Sequence, residues 1–209
     1  MRIVVFGATG RTGRHLVEQA LAQGHHVTAF VRIPSKLAMS HERLHIVQGN
    51  VLEAASVEKA VEGQDVVLCA LGRNRGDPTS ALAEGTRHII QAMNKHGVQR
   101  ILCVSAAGFL GERADFLMGQ ILFWYFRRYL KRLFEAMRLQ FQELEQSGLK
   151  WVAVRPVLLD EGPRKGHYRV VAEGIPKRGY RINTGDVAEF MLRQVASDEY
   201  VGRAPALAY

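Results

Sequence analysis

Short apolar segments alternate along the chain with longer segments in which apolar residues recur at three- and four-residue steps. The short segments predict six strands, at residues 3–6, 26–31, 44–47, 65–71, 100–105 and 151–155. The longer segments predict helices at residues 12–23, 56–62, 81–96, 116–146 and 186–196. Continuous apolar strands that alternate with helices are typical of a buried parallel sheet. The pattern therefore predicts an α/β fold, a doubly wound parallel sheet with helices on both faces.

One segment departs from this alternation. Residues 162–183 are rich in glycine, proline and cations, which predicts a long loop or a hairpin. The chain has 209 residues, enough to bury a core of its own, and it contains no internal repeat or low-complexity linker. We therefore expect a single domain over residues 1–209, with residues 157–183 as a small C-terminal lobe over the substrate site.

Composition indicates an ordinary globular protein, with 47% hydrophobic and 23% charged residues. Its two cysteines, Cys69 and Cys103, lie in the apolar segments "VVLCAL" and "ILCVS", as small core residues do. A disulfide framework is therefore not expected, and a reducing cytoplasm fits. The opening residues "MRIVVFG" run directly into a strand, so we expect no secretory signal and a cytoplasmic protein.

The formal net charge of +8 indicates an anionic partner, which leaves nucleic acid, a membrane surface or a phosphate-rich small molecule open. The chain lacks zinc-finger spacing and the aromatic motifs that read RNA, so nucleic acid is not expected. Its histidines show no metal-ligand spacing, and no metal site is predicted.

Three glycines, Gly7, Gly10 and Gly13, follow the first predicted strand and precede the first helix. Such a turn lets the backbone approach a pyrophosphate, while the helix N-terminus offers free N–H groups and the positive end of its dipole. The spacing is G-x-x-G-x-x-G rather than the commoner G-x-G-x-x-G, and a purely structural turn is the alternative. The position of the motif favours a Rossmann-like dinucleotide site.

Arg32 directly follows the second predicted strand, at the place where NAD-binding proteins carry an acid that binds the ribose 2′-hydroxyl. Lys36 follows, and Arg11 lies inside the glycine turn. Cations here can pair with a 2′-phosphate, which favours NADP(H) over NAD(H). The alternative is that Arg32 and Lys36 are solvated surface cations.

Larger motifs carry a family resemblance. They are "FGATGRTG" (6–13), "VTAFVR" (27–32), "VQGNVLEAASVEKAVEGQDVVLCALG" (47–72), "AEGTRHIIQAMNKHGVQRILCVSA" (83–106), "SGLKWVAVRP" (147–156) and "DVAEFMLRQVASDEYVG" (186–202). By the order and spacing of these motifs, the chain resembles the small, atypical short-chain dehydrogenase/reductases of the NmrA-like NAD(P)-binding set. It is most similar to the flavin reductase and biliverdin-IXβ reductase type, which implies a Rossmann fold, NADP(H) as cofactor and reductase activity.

The resemblance also implies a role for individual residues. Those along the pyrophosphate are Thr9, Gly10, Arg11 and Thr12, within the turn of Gly7 and Gly13. Those at the adenosine are Arg32 and Lys36 for the 2′-phosphate, and Asn50 and Val51 near adenine. Those beside the nicotinamide and its ribose are Leu71, Gly72, Arg73, Ser105, Arg155 and Pro156. Ser105 is the candidate catalytic residue, positioning the acceptor or a water, unless its hydroxyl only caps the following loop.

The chain departs from the family at the proton donor. No tyrosine has a lysine four residues later, as the Tyr-x-x-x-Lys pair of typical members requires. Met137 stands where many atypical relatives keep a lysine, and Val157-Leu158-Leu159 follow Pro156 where biliverdin and flavin reductases have a histidine. These departures favour either hydride transfer to an acceptor that solvent protonates, or a protein that binds NADP(H) without turnover.

The segment 116–146 is predicted to be a helix with one apolar stripe. Its stripe residues are Phe123, Phe126, Leu130, Leu133, Met137, Phe141 and Leu144. Residues 116–132 are apolar on other faces too and end in cations, which suits contact with a membrane interface, a second subunit in a homodimer, or the substrate.

We therefore expect an NADPH-dependent reductase whose acceptor is an anionic, flat small molecule: a flavin, a biliverdin-type tetrapyrrole or a similar conjugated compound. The loops 73–79, 106–115 and 157–183 would form its pocket and supply cations, namely Arg73, Arg75, Arg113, Arg164 and Lys165. Two alternatives stand: a non-catalytic NADP(H)-binding redox sensor or regulator, and a membrane- or complex-associated assembly factor.

Overall fold

The strands and helices follow the predicted order. The structure, a computed structural model, describes residues 1–72, 78–110, 128 and 130–209. Its strands are β1 Arg2–Phe6, β2 His26–Val31, β3 Leu44–Gln48, β4 Val66–Cys69, β5 Arg100–Val104, β6 Lys150–Pro156, β7 Leu158–Asp160, β8 Arg169–Val171, β9 Arg181–Asn183 and β10 Ala206–Ala208. Its helices are α1 Arg11–Ala22, α2 Ala54–Val61, α3 Ala81–His96, α4 Lys131–Glu145 and α5 Thr184–Arg193, with a short 3₁₀ helix at Pro34–Lys36.

Eight of the strands form one sheet in the order β3-β2-β1-β4-β5-β6-β10-β8. Strands β1 to β6 are mutually parallel, β10 continues the sheet parallel to β6, and β8 closes it antiparallel to β10. The strand order reverses between β1 and β4, which is where ligands bind in doubly wound sheets. The predicted α/β fold is confirmed.

Alternating side chains of the strands bury both faces of the sheet. In β1, Ile3 and Val5 pack on one face against α1 and α5, while Val4 and Phe6 pack on the other against α2, α3 and α4. All four side chains have no exposed surface. Because burying one such side chain contributes about 1.5–3 kcal/mol, the two-sided burial explains why these segments are apolar throughout.

The C-terminal region differs from the prediction. Residues 162–183 contain β8 and β9, which do not pair with each other as a hairpin would. Instead β9 pairs with β7 in a separate two-stranded parallel sheet, and β8 joins β10 in the main sheet. Each of these strands has three residues, too short to show the period-2 alternation that reveals a strand in sequence.

The predicted helix 116–146 is described only in its second half, as α4. Residues 111–127 and 129, which include most of the proposed aromatic contact segment, lie outside the described residues. Within the part of the chain that the structure describes, no helix has the length and apolarity needed to cross a membrane.

Candidate cofactor and substrate site

A cavity of about 1080 Å³ opens at the carboxyl ends of β1, β2, β4, β5 and β6. Most of the predicted site residues line it, namely Gly7, Thr9, Gly10, Arg11, Thr12, Arg32, Asn50, Val51, Leu71, Gly72, Ser105 and Pro156. Three predicted residues do not line it: Gly13, Lys36 and Arg155. Arg73, together with Arg75 and Arg113, lies outside the described residues. The sequence motifs therefore converge on one cavity.

Each glycine of the turn meets a different steric demand. Gly7 has a φ of 78°, and a Cβ there would lie 2.4 Å from Ala70 O at the end of β4. At Gly13 a Cβ would lie 2.1 Å from Gly7 O, so this glycine lets α1 pack against the turn. Gly10 lines the cavity and donates its N–H to Gly7 O at 2.9 Å. A Cβ at Gly10 would be less crowded, since it would lie 3.1 Å from Gly7 O.

The N-terminus of α1 faces this cavity without a cap from any side chain. Gly10 is the N-cap residue, no side chain accepts a hydrogen bond from the first turn, and the turn contains no acid. The first N–H groups of a helix have no partner within the helix, and together with the helix dipole they form an anion site. The geometry fits a pyrophosphate.

The end of the cavity beside the glycine turn and β2 carries two arginines, Arg11 and Arg32. Both are exposed, and within the described chain no hydrogen bond or ion pair occupies either guanidinium. No aspartate or glutamate is found among the described residues that line the cavity. Asn50 also lines this end, and its Oδ1 accepts a hydrogen bond from Leu52 N at 3.2 Å. This end suits a phosphate-bearing adenosine.

The structure does not place Lys36 in the cavity. Lys36 ends the 3₁₀ helix after β2, and its backbone oxygen accepts a hydrogen bond from Arg14 Nη2 at 3.0 Å. Its side chain is exposed and does not line the cavity. Arg32 is therefore the better placed of the two cations predicted to bind the 2′-phosphate.

Ser105 follows β5 at the middle of the cavity. It is 5% exposed, and its Oγ finds no hydrogen-bond partner within the described residues. The hydroxyl therefore does not cap the following loop, which was the alternative interpretation. Because a buried unpaired hydroxyl costs about 1–3 kcal/mol, a ligand or water that completes it would stabilise the site.

The position of Arg155 differs from the prediction that this residue flanks the nicotinamide. It is 2% exposed and does not line the cavity, although its neighbour Pro156 does. Successive side chains of a strand point to opposite faces, and the Arg155 guanidinium instead donates to Ala204 O at 2.5 Å and to Gly174 O at 3.3 Å. Burial lowers its pKa to about 10, so it remains a cation that ties the lobe to the sheet.

The other end of the cavity is mostly apolar. Helix α4 contributes Leu133, Phe134 and Met137, so the position at which relatives keep a lysine is part of an apolar wall here. Residues 157–159, 175–176 and 178–181 also line the cavity. This placement supports the substrate-wall interpretation for the described part of the predicted helix 116–146.

Two contacts fix α4 beside the cavity. Gln140 Nε2 donates to Thr86 Oγ1 of α3 at 3.0 Å, and both side chains are buried. Arg87 of α3 pairs with Glu143 at 2.6 Å on the surface. An exposed pair contributes little, so the buried amide is the more important anchor.

The lobe is held by Asp186, a buried residue in the first turn of α5. Its carboxylate accepts hydrogen bonds from the N–H groups of Lys165 (2.9 Å) and Gly166 (2.7 Å) and from Tyr209 Oη (2.6 Å). Burial, with the hydrogen bond to Asp186, raises the pKa of Tyr209 to about 12. Neither Arg164 nor Lys165, both predicted to face the acceptor, lines the cavity.

Sequence reasoning missed three polar residues of the lobe that line the cavity, Arg178, Tyr180 and Arg181. The only signal was the cation-rich stretch "PKRGYR" in a segment taken as a loop. Which of its side chains face the cavity depends on the β7–β9 pairing, which the sequence pattern did not reveal.

Comparison with known proteins agrees with this geometry. A family model described as NAD(P)H-binding matches residues 7–198. An uncharacterized chloroplastic protein of Arabidopsis thaliana is 32% identical over an alignment of 209 positions. The alignment covers 95% of this chain and 73% of that protein. Uncharacterized mycobacterial proteins are 31% identical over 161 residues. The chain spans only 15% of the length of these proteins.

Two solved structures show the same fold. A short-chain dehydrogenase/reductase from Veillonella parvula, in complex with NADP, superposes with a TM-score of 0.81 at 21% identity, covering 100% of this chain and 94% of that one. An anaerobillin reductase from Escherichia coli O157:H7 superposes with a TM-score of 0.80 at 19% identity, covering 100% and 97%. The chain belongs to the NAD(P)H-binding family of Rossmann-fold oxidoreductases, and its cofactor is NAD(P)H.

Proposed function

We propose that the protein is an NADPH-dependent reductase that transfers hydride to a flavin, a biliverdin-type tetrapyrrole or a similar conjugated acceptor. The observation that carries the proposal is the continuity of the cavity. It runs from Arg11 and Arg32, past Ser105, to the apolar side chains of α4 and the residues of the lobe. A cofactor and a flat acceptor can therefore meet inside one enclosure.

The cofactor end would bind NADPH through groups of this chain. The free N–H groups at the start of α1 suit the pyrophosphate, and Arg32 suits a 2′-phosphate, which an acid at this position would repel. When bound, NADPH supplies the hydride. The Ser105 hydroxyl would orient the nicotinamide or the acceptor, since its buried Oγ has no other partner in the described chain.

The acceptor end favours compounds that need no histidine or lysine as proton donor. Among the described residues, those that line the cavity include no histidine and no lysine, and Met137 presents an apolar side chain where relatives keep a lysine. Conjugated ring systems delocalise the charge that arrives with hydride, so solvent can protonate them later. Leu133 and Phe134 would exclude water from the face of the ring during transfer.

Two findings from other proteins support this proposal. The Veillonella parvula reductase was solved with NADP, and the Escherichia coli protein of the same fold is an anaerobillin reductase. A cofactor of the NADP type and an acceptor of the linear tetrapyrrole class are therefore compatible with the fold.

A turnover screen tests the proposal. The purified protein is mixed with NADPH and, in turn, with flavin mononucleotide, riboflavin, biliverdin, a quinone and a plain ketone, and NADPH oxidation is followed by absorbance. We expect oxidation with the flavins or biliverdin and none with the ketone. Reduction of the ketone alone would refute the proposed mechanism. Tight NADPH binding without any oxidation would instead identify a non-catalytic redox sensor.

A further inference from the structure

A tight turn between β8 and β9 presents Arg178 to the cavity. The turn spans residues 176–179 and is closed by the N–H of Gly179, which donates to Pro176 O at 2.9 Å. Arg178 occupies the third position of the turn with a φ of 54°, and no other non-glycine residue in the described chain has a positive φ. This position normally takes glycine or asparagine, because a Cβ crowds the backbone there.

A strained residue that lines a cavity points to function, provided that the fold does not need its side chain. Within the described residues, no hydrogen bond or ion pair engages the exposed Arg178 guanidinium. Two other arginines of this lobe, Arg169 and Arg181, are engaged by protein groups. Arg181 lies 3.3 Å from Asp160, and Arg169 donates to Lys177 O at 2.5 Å and to Tyr209 O.

The position of Arg178 separates it from the adenosine end. Its turn adjoins β9, which pairs with β7 directly after β6, whereas Arg32 follows β2. Strands β2 and β6 are separated in the sheet by β1, β4 and β5. At about 4.8 Å between neighbouring strands, this is a distance of about 19 Å. The 2′-phosphate and Arg178 therefore lie at opposite ends of the cavity.

We propose that Arg178 binds an anionic group, a carboxylate or a phosphate, at the edge of the acceptor and so selects acceptors that carry one. The inference rests on the proposed function and specifies its substrate class. A guanidinium binds either anion with two parallel hydrogen bonds, which justifies an arginine at this position rather than the glycine that the turn would favour. The apolar surroundings, including Leu158 and Pro176, receive the uncharged ring of the same acceptor.

Flavin mononucleotide and riboflavin provide a matched test, because they share one ring system and differ by a phosphate. The ratio of their kcat/KM values is measured for the wild type, for Arg178→Gly and for Lys177→Gln. Lys177 is the control, because it is an exposed cation in the same turn that does not line the cavity. Biliverdin and its dimethyl ester repeat the comparison with a carboxylate in place of the phosphate.

We expect the wild type to prefer the anionic member of each pair about tenfold, the lower range for a charge-assisted contact at an exposed position. Arg178→Gly should reduce this preference to within about twofold, with the affinity for NADPH retained and the thermal midpoint no lower, since glycine relieves the strained φ. Lys177→Gln should keep the preference. A preference that persists in Arg178→Gly, or that Lys177→Gln removes equally, would overturn the inference while leaving the reductase proposal intact.

Binding separates the two proposals if no acceptor is turned over. Quenching of flavin fluorescence by the NADP⁺-loaded protein gives the affinities of flavin mononucleotide and riboflavin directly. Binding that keeps the predicted phosphate preference and loses it in Arg178→Gly would support the anion site and refute the reductase. If neither flavin binds, and biliverdin binds no better than its ester, the anion site is refuted.

Discussion

Replacing Arg32 by aspartate should reverse the cofactor preference. Arg32 follows β2, lines the end of the cavity that we propose for the adenosine, and has a guanidinium that no group in the described chain occupies. A hydrogen bond to a charged group contributes about 1.5–3 kcal/mol, and exposure reduces this to about 1–2 kcal/mol. An aspartate adds repulsion of about 1 kcal/mol against the 2′-phosphate. The sum of about 2–3 kcal/mol predicts a roughly 30- to 150-fold weaker affinity for NADPH.

Calorimetric titration with NADPH and NADH measures both effects. The wild type should bind NADPH at least about tenfold more tightly than NADH, and Arg32→Asp should bind NADH as well as or better than NADPH. Lys36→Gln is the matched control, since the structure places Lys36 outside the cavity with its backbone held by Arg14. It should change the affinity by less than about threefold. Equal wild-type affinities for the two cofactors, or an equal loss in Lys36→Gln, would refute the assignment of Arg32.

Three further substitutions test the turn, the serine and the lobe. Gly13→Ala should lower the free energy of unfolding by at least about 2 kcal/mol, because its Cβ would meet Gly7 O at 2.1 Å. Gly10→Ala should lower it by less than about 1 kcal/mol, because its Cβ would lie 3.1 Å from the same oxygen. Urea titration of the two variants compares these losses. Ser105→Ala should lower turnover by less than about a hundredfold. It should not destabilise the protein, because the buried Oγ has no partner to lose within the described chain. A loss of stability would contradict this. Tyr209 has a pKa raised to about 12 in the folded state, so its contribution to stability is complete below its unfolded pKa of about 10 and is lost as pH rises toward 12. In Tyr209→Phe, chemical unfolding at a series of pH values should show less of this alkaline loss, and an unchanged profile would refute the role of the Asp186 contact.

The sequence predicted strands β1 to β6 of the main sheet well because each of them is mostly apolar. The prediction of residues 26–31 matches β2, and that of 81–96 matches α3. The glycine turn was also predictable, since Gly7 and Gly13 mark close approaches of backbone to backbone that any side chain would block. Local sterics and burial determine these features, and both leave a clear pattern in the sequence.

The strands of the lobe, and β10 after it, were not predictable, because no local pattern marks them. Strands β7 to β10 have three residues each and depend on partners distant in sequence, such as β10 for β8. Side-chain direction at the strand ends was equally hidden. Arg155 and Pro156 are neighbours in β6, yet only Pro156 lines the cavity, and the sequence alone did not show which of the two would do so. The positive φ of Arg178 likewise depends on a turn set by tertiary pairing.

The arginines show how the excess positive charge of the chain is divided between structure and site. Arg100 and Arg155 are buried and bond to backbone oxygens, Gln194 O in one case and Ala204 O in the other. Arg11, Arg32 and Arg178 line the cavity, and in the described chain their guanidinium groups bond to nothing. Unpaired cations beside a cavity whose described lining contains no acid raise the local concentration of anions. We therefore expect binding at both ends to weaken as salt rises. We therefore keep anionic small molecules as the predicted partners that account for the net charge of +8.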